Sequence, residues 1–344
     1  MRDYIAEQPE ALRRLMNGSL LLPRPAGPWQ KLWFVGSGTS LYAGMVAANL
    51  SEALLGADAE AISSQEFLRD VSDARLGPGV LAVAISQSGA TVVLTEAMAR
   101  ARRLGATTVG VTAQPDSPLA QAVAYVVPSL TGPEDVPPKT KGFTSTAFAA
   151  CLFVMALAGT ADPALAAACA RLPEQAAGAL AAAEAAVPAL VSRLAPASSY
   201  FVVGTGTVLP AALEGALKVL ESAKLMALGL ELEEVLHGYF NAIGPETGLI
   251  LLARTDAPAE KLAAFTRAAA LIGAPLVTIA EPGAAVAAPD LLLPAAGHPG
   301  LAPLLAVLPL QVLAYHLAQA RGKDPDRTRY PELYPVFRTK TIYM

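Results

Sequence analysis

Cysteine, histidine and charge are all scarce in this chain: two Cys, three His and 16 % Asp, Glu, Lys and Arg among 344 residues. Cys151 and Cys169 stand in Ala-rich apolar runs without metal-ligand spacing. They are expected as core thiols, and the pattern offers neither a disulfide framework nor a metal site. The formal net charge is −4, with no basic stripe of the kind that follows a nucleic-acid backbone, so nucleic acid is not an expected partner. A GxxxxGK[ST] loop is missing, which argues against a nucleoside triphosphate with its metal. The opening residues, Met1–Pro9, lack the basic start and apolar core of a secretory signal, and a cytoplasmic location is expected. Uninterrupted apolar runs of membrane length are wanting too. Leu301–Ala320 holds Pro303, Pro309, Gln311, His316 and Gln319, and Ala147–Gly159 is too short to span. Both are expected as buried helices of a soluble protein, with no membrane partner.

What the chain does have is a repeat at a spacing of 168 residues. Val35-Gly36-Ser37-Gly38-Thr39 returns as Val203-Gly204-Thr205-Gly206-Thr207, and Leu81–Ile85 returns as Leu249–Ala253. Gly105-Ala106 with the strand Thr107–Val111 returns as Gly273-Ala274 with Pro275–Ile279. Each half alternates strand, loop, helix and strand, and its strands are continuously apolar. Such strands are buried on both faces, which implies an α/β fold with a parallel sheet covered by helices. Asp162–Val191 is Ala-rich and reads as a helical connector. Beyond Arg321 the pattern stops, and Gly322–Met344 is rich in Pro, Tyr, Arg and Lys.

Ser86-Gln87-Ser88-Gly89-Ala90-Thr91 follows the apolar run Leu81–Ile85 and precedes a helix expected over Val92–Leu104. Hydroxyls and helix-start amides at such a place can hold a phosphate by neutral hydrogen bonds. An ordinary capped helix start fits the same six residues. In the second half the corresponding residues are Arg254-Thr255-Asp256-Ala257, which lack those hydroxyls, so one phosphate per chain is expected. Gly36-Ser37-Gly38-Thr39-Ser40 hints at a dinucleotide fold, but Leu41 occupies the place of the third glycine. Thr39 and Ser40 fit better as further donors around the same anion.

Glu214, Lys218 and Glu221 fall on one helical face of the apolar segment Leu209–Leu228. A surface ion-pair ladder is one account. A carboxylate held beside a lysine among apolar neighbours, as a proton shuttle, is the other. His237 follows sixteen residues after Glu221 and is the histidine suited to acid–base work. His298 lies in a Gly/Pro loop, and His316 lies within an apolar helix.

Taken together these segments resemble the sugar isomerase (SIS) family, and within it the isomerase half of glucosamine-6-phosphate synthase. The resemblance is carried by Gly36–Ser40, Ser86–Thr91, Thr140-Lys141-Gly142-Phe143-Thr144, Ala212–Lys218 with Glu221, His237-Gly238, Pro309-Leu310-Gln311, Leu313–His316, Asp324-Pro325-Asp326 and Lys340. It implies two tandem SIS domains, each a parallel sheet flanked by helices in a flavodoxin-like three-layer sandwich, at 29–160 and 196–322. An N-terminal helical segment at 1–28, a helical connector at 161–195 and a tail at 323–344 closing the active site complete the expected organisation. By the resemblance, Gly38, Thr39, Ser40, Ser86, Gln87, Ser88 and Thr91 bind substrate, and Lys139, which departs from the family pattern, is expected to bind it beside them. Glu221 moves a proton between C1 and C2, His237 assists ring opening from the partner subunit of a homodimer, Lys340 engages the open-chain carbonyl, and Lys218 positions or protonates. No cofactor and no metal is implied.

Departures from the family pattern bear on the substrate. A glutaminase domain is not expected, Ser37 replaces a frequent Cys, His237-Gly238-Tyr239 replaces His-Gly-Pro, and Lys139 stands where the residue is usually small. The expected function is a phosphosugar isomerase/deaminase interconverting glucosamine 6-phosphate and fructose 6-phosphate with ammonia. The alternatives are a deglycase of 6-phosphorylated fructosamine adducts, with Lys139 receiving a carboxylate, and a non-catalytic phosphosugar sensor.

Overall fold

The structure, a computed structural model, describes residues 1–18, 22–159 and 162–341. The expected domain boundary at 160–161 and the last three residues of the tail lie outside the described residues. In chain order the elements are α1 Arg2–Ala6, α2 Gln8–Asn17, β1 Lys31–Gly36, α3 Thr39–Leu55, β2 Asp58–Ser63, α4 Ser64–Arg69, β3 Val80–Ile85, α5 Val92–Arg103, β4 Thr107–Thr112, α6 Pro118–Ala122, β5 Tyr125–Pro128 and α7 Lys141–Ala158. There follow α8 Pro163–Leu194, β6 Ser199–Gly204, α9 Leu209–Ala223, β7 Met226–Glu231, α10 Leu232–Leu236, β8 Thr247–Ala253, α11 Ala259–Ile272, β9 Leu276–Ala280, β10 Leu291–Leu292, α12 Ala302–Ala320 and α13 Tyr334–Phe337.

Two five-stranded sheets result, ordered β2-β1-β3-β4-β5 and β10-β9-β8-β6-β7, with every pairing parallel. The apolar strands β1, β3 and β8 are buried at every position. This is the expected α/β architecture of two like halves. The repeat is less regular in the sheet than in the sequence. Lys31 faces Asp58 as Ser199 faces Met226, which keeps the offset of 168 residues. Leu32, however, faces Leu81 while Tyr200 faces Gly248. The counterpart of Leu81 in the second sheet is therefore Gly248, not Leu249, a slip of one residue. A strand covered on both faces has no in–out alternation to mark its register. β8 runs one residue further than β3 at its carboxyl end, so the following loops still begin at Ser86 and Arg254.

The chain forms two compact units. The N-terminal unit comprises the described parts of 10–134, 141–166 and 330–344, and the C-terminal unit comprises 1–9, 135–140 and 167–329. In the first, α3 packs against α7, and in the second α9 packs against α12. α7, α8 and the helical stretch Pro299–Ala320 are long and apolar enough to cross a membrane by length and composition, but the first and last bury most of that surface inside the protein. The apolar run expected to be too short belongs to an 18-residue helix, because α7 starts earlier, on the polar residues Lys141, Thr144 and Thr146.

Candidate functional site

In the N-terminal unit the chain leaves β1 toward β2 and leaves the adjacent β3 toward β4. The loops after these two strands therefore flank the point where strand order reverses, the usual ligand position in open parallel sheets. Gly38 is the cap before α3, and Thr39 and Ser40 are its first residues. The turn is tight: a Cβ on Gly36 would lie 2.7 Å from the Ser40 carbonyl carbon. In the second loop the Ser86 and Thr91 hydroxyls stand 3.4 Å apart. Gly89 N donates to Ser86 Oγ at 3.1 Å, and Ala90 N donates to Ser88 Oγ at 3.4 Å. Gly89 has φ +61°, and a Cβ there would meet Ser117 Oγ at 2.0 Å, so only glycine allows this turn. The loop thus gathers three hydroxyls and the start of α5 without a positive charge.

The tail reaches this loop. Thr91 and Lys340 form an antiparallel bridge, with Val92 N donating to Thr339 O at 3.3 Å and Thr341 N donating to Ala90 O at 2.9 Å. Thr341 Oγ1 donates to the same carbonyl at 3.2 Å. Lys340 is brought beside Thr91 by its backbone, and its side chain is half-buried.

Glu134, which the sequence did not single out, braces the loop from behind. Its buried carboxylate accepts the Lys141 and Gly142 amides at 3.1 and 2.9 Å, the first amides of α7. Gln87 Nε2 donates to the same carboxylate at 3.4 Å. Glu134 stands outside the cap positions of α7, so no local sequence signal marked it.

In the C-terminal unit α9 carries the charged trio. Lys218 and Glu214 are fully buried, with Nζ 3.2 Å from Glu214 Oε1. Glu221 lies 2.5 Å from the same Nζ, and 30 % of its side chain reaches solvent. Burial by itself lowers the Lys218 pKa, but the two carboxylates outweigh it and hold the ammonium above its ordinary range. The ladder is therefore not a surface feature; it is a permanent buried cation between a hidden carboxylate and an accessible one. Lys218→Met is expected to cost about 3–5 kcal/mol of stability, because Glu214 is left charged and uncompensated. The double variant Glu214→Gln/Lys218→Met should recover most of that loss in denaturant unfolding. Equal midpoints for Lys218→Met and the parent would show that the pair carries no structural weight.

α9 ends at Lys224, a non-glycine residue in the left-handed region with φ +60°. Its ammonium bonds the Glu221 carbonyl and the Arg327 carbonyl at 2.6 Å, while Arg329 donates to the Lys224 carbonyl at 3.0 Å. Burial lowers the Lys224 pKa against the pull of Glu221 and Asp324. No sequence signal marks this stop, since glycine is the usual residue there.

His237 is not gathered to the trio. Its ring is 68 % exposed and stands 3.4 Å from Glu233 Oε1, with Nδ1 2.9 Å from the Glu233 carbonyl. Lys139 belongs to the short segment 135–140 and is half-buried. That segment is fixed by Gln311, whose Nε2 donates to Thr140 O at 3.2 Å while its Oε1 accepts from Gln8 at 2.7 Å. Among the described residues no group of three or more His, Cys, Asp or Glu could hold a metal.

Comparisons with known proteins bear on the family and the fold. The SIS domain family model matches residues 28–159 and 193–321. The chain is 31% identical to the glutamine–fructose-6-phosphate aminotransferase (isomerizing) of Acidithiobacillus ferridurans, across 96% of this chain and 57% of that protein. It is 32% identical to a Bradyrhizobium diazoefficiens protein of the same name, across 90% of this chain and 52% of that one. The chain spans about half the length of the curated relatives it matches. Among solved structures, the C-terminal domain of glucosamine-fructose-6-phosphate aminotransferase from Francisella tularensis superposes with a TM-score of 0.83 at 24% identity, covering 94% of this chain and 96% of that one. Glucosamine-6-phosphate deaminase from Thermotoga maritima superposes with a TM-score of 0.77 at 18% identity, covering 95% and 97%. These two structures share the fold.

Proposed function

The chain belongs to the SIS domain family, and from that premise we propose that it is a phosphosugar isomerase/deaminase acting on glucosamine 6-phosphate. The observation that carries this reading is the charge chain on α9, in which Glu221 alone of the three side chains reaches solvent. A carboxylate steadied by a permanent cation, yet open to a substrate, suits proton transfer between neighbouring carbons. Removal of the C2 proton of the open-chain amino sugar and its return to C1 converts the 2-amino aldehyde into a 2-imine. Water then adds at C2 and ammonia leaves, giving fructose 6-phosphate. Ser86, Ser88 and Thr91 hold the phosphate, with Gln87 steadied by Glu134.

The test reads both product sets: ammonia with fructose 6-phosphate from phosphorylated amino sugars, and free amine with glucose 6-phosphate from 6-phosphofructosamines. Release from glucosamine 6-phosphate supports the proposal. Turnover of the fructosamine adducts alone replaces it with the deglycase, and turnover of neither class leaves the sensor. Ser86→Ala with Ser88→Ala is expected to weaken phosphosugar binding by about 1–3 kcal/mol, the value of hydrogen bonds to a charged group. An unchanged KM would place the phosphate elsewhere.

We also propose a homodimer in which His237 completes the partner's site. Supporting this, His237 is exposed, and so are Leu220 on α9, Met226 and Leu228 on the edge strand β7, and Tyr239 and Phe240 just after the histidine. Mixing inactive Glu221→Gln with inactive His237→Ala is expected to restore activity through hybrid dimers. No recovery after proven subunit exchange would show that each site is built from one chain.

A further inference from the structure

The second half retains the counterpart of the Ser86 loop, the anion place proposed above for the first half, and a side chain already fills it. After β3 and after β8 the chain makes the same first move. Gly89 N returns to Ser86 O at 3.1 Å, and Ala257 N returns to Arg254 O at 3.3 Å; a helix follows in each case, α5 or α11. Beside the first of these loops, the residue directly after β4 is Ala113, which has no side-chain polar group. Beside the second, the residue directly after β9 is Glu281. Its Oε1 accepts from Thr255 N at 2.7 Å and from Thr255 Oγ1 at 2.8 Å, and its Oε2 accepts from Arg254 Nη1 at 3.1 Å.

A backbone amide, a hydroxyl and a guanidinium converging on one carboxylate are the donors that bind a phosphate. The pair is well shielded, with Arg254 7 % and Glu281 15 % exposed. An open cavity of about 390 Å³ adjoins it, lined by Arg254, Thr255, Asp256, Glu281 and His298 among others. That volume lies within the range of small-molecule sites. We propose that the Arg254–Thr255 loop is a second, phosphate-class anion site that Glu281 occupies from within. The carboxylate closes this half to phosphosugars and confines them to the Ser86 loop. Asp256, which accepts Arg254 Nε at 3.0 Å, grips the other edge of the guanidinium and adds to the exclusion. The inference rests on the functional reading only for the class of anion.

The experiment uses the full chain, with inorganic phosphate as the probe. Glu281→Ala is placed in a Ser86→Ala/Ser88→Ala background, so that the first loop contributes little. Thermal unfolding with and without phosphate is combined with a crystal structure grown in phosphate. The expected result is a lower Tm in phosphate-free buffer, a phosphate-dependent recovery absent from the Glu281-containing parent, and phosphate density on Thr255 N and Arg254. Adding Asp256→Asn should strengthen the response several-fold. If Glu281→Ala does not fold, Glu281→Gln takes its place, since it keeps the size and one acceptor while removing the charge. Destabilisation with no phosphate at Arg254 in any variant overturns the proposal and makes Glu281 an ordinary ion-pair partner. Phosphate at Ser86 in separate crystals of the unmodified protein is an independent observation, so failure of the functional reading is distinguishable from failure of this one.

Discussion

Glu221→Gln is expected to lower turnover by about 10²-fold or more while the protein stays folded and still binds the sugar phosphate. The amide keeps the shape of the carboxylate, and its oxygen can still accept from Lys218, so α9 has no reason to rearrange. What disappears is the proposed base. Glu214→Gln is the internal control, because Glu214 touches the same lysine yet is fully buried. Changing it should appear chiefly as lost stability, with turnover of the folded fraction much less affected. Steady-state kcat and KM on glucosamine 6-phosphate, set beside unfolding midpoints for both variants, separate the two roles. Near-normal turnover in Glu221→Gln would reduce the trio to structural ion pairs.

The architecture was legible in the sequence because continuous apolar strands and post-strand glycines recur with one spacing. Where that reading failed, it failed for a physical reason. The 168-residue match carried Leu81 onto Leu249, yet the position equivalent to Leu81 in the second sheet is Gly248; a strand apolar on both faces holds no register information. The spacing of Glu214, Lys218 and Glu221 placed them on one face, but their burial depends on α12 packing against α9 from far along the chain. Glu134 and Lys224 act through bonds to the α7 amides and to the Arg327 carbonyl. Contacts of that kind leave no periodic trace. Glu281 was hidden for the opposite reason. Comparison of the halves showed which hydroxyls the second loop had lost, while the carboxylate that fills the gap comes from the neighbouring strand.

Lys340→Met is expected to leave KM within a few-fold of the parent and to lower turnover by about 10²–10³-fold, the usual effect of removing one positioned charge from a reacting centre. The substitution removes the amine and spares the backbone, so the bridge between Thr91 and residue 340 can persist. Ending the chain at Arg338 does something different. It removes the Thr339 carbonyl from Val92 N and the Thr341 bonds from Ala90 O, so the phosphate loop loses its cover and KM should rise as well. The contrast between the two variants divides the amine's chemistry from the tail's docking. A frayed basic terminus is the ordinary fate of a chain end, but a frayed end would not carry these backbone bonds to a single loop. If the amine condenses with the open-chain carbonyl, losing water to form an imine, borohydride with substrate should fix the sugar on Lys340. Trapping in the parent and none in Lys340→Met establishes the covalent route. Activity rescued by Lys340→Arg without trapping assigns the residue a purely electrostatic part. Full turnover in Lys340→Met removes the side chain from the reaction altogether and leaves the tail as a structural cover for the Ser86 loop.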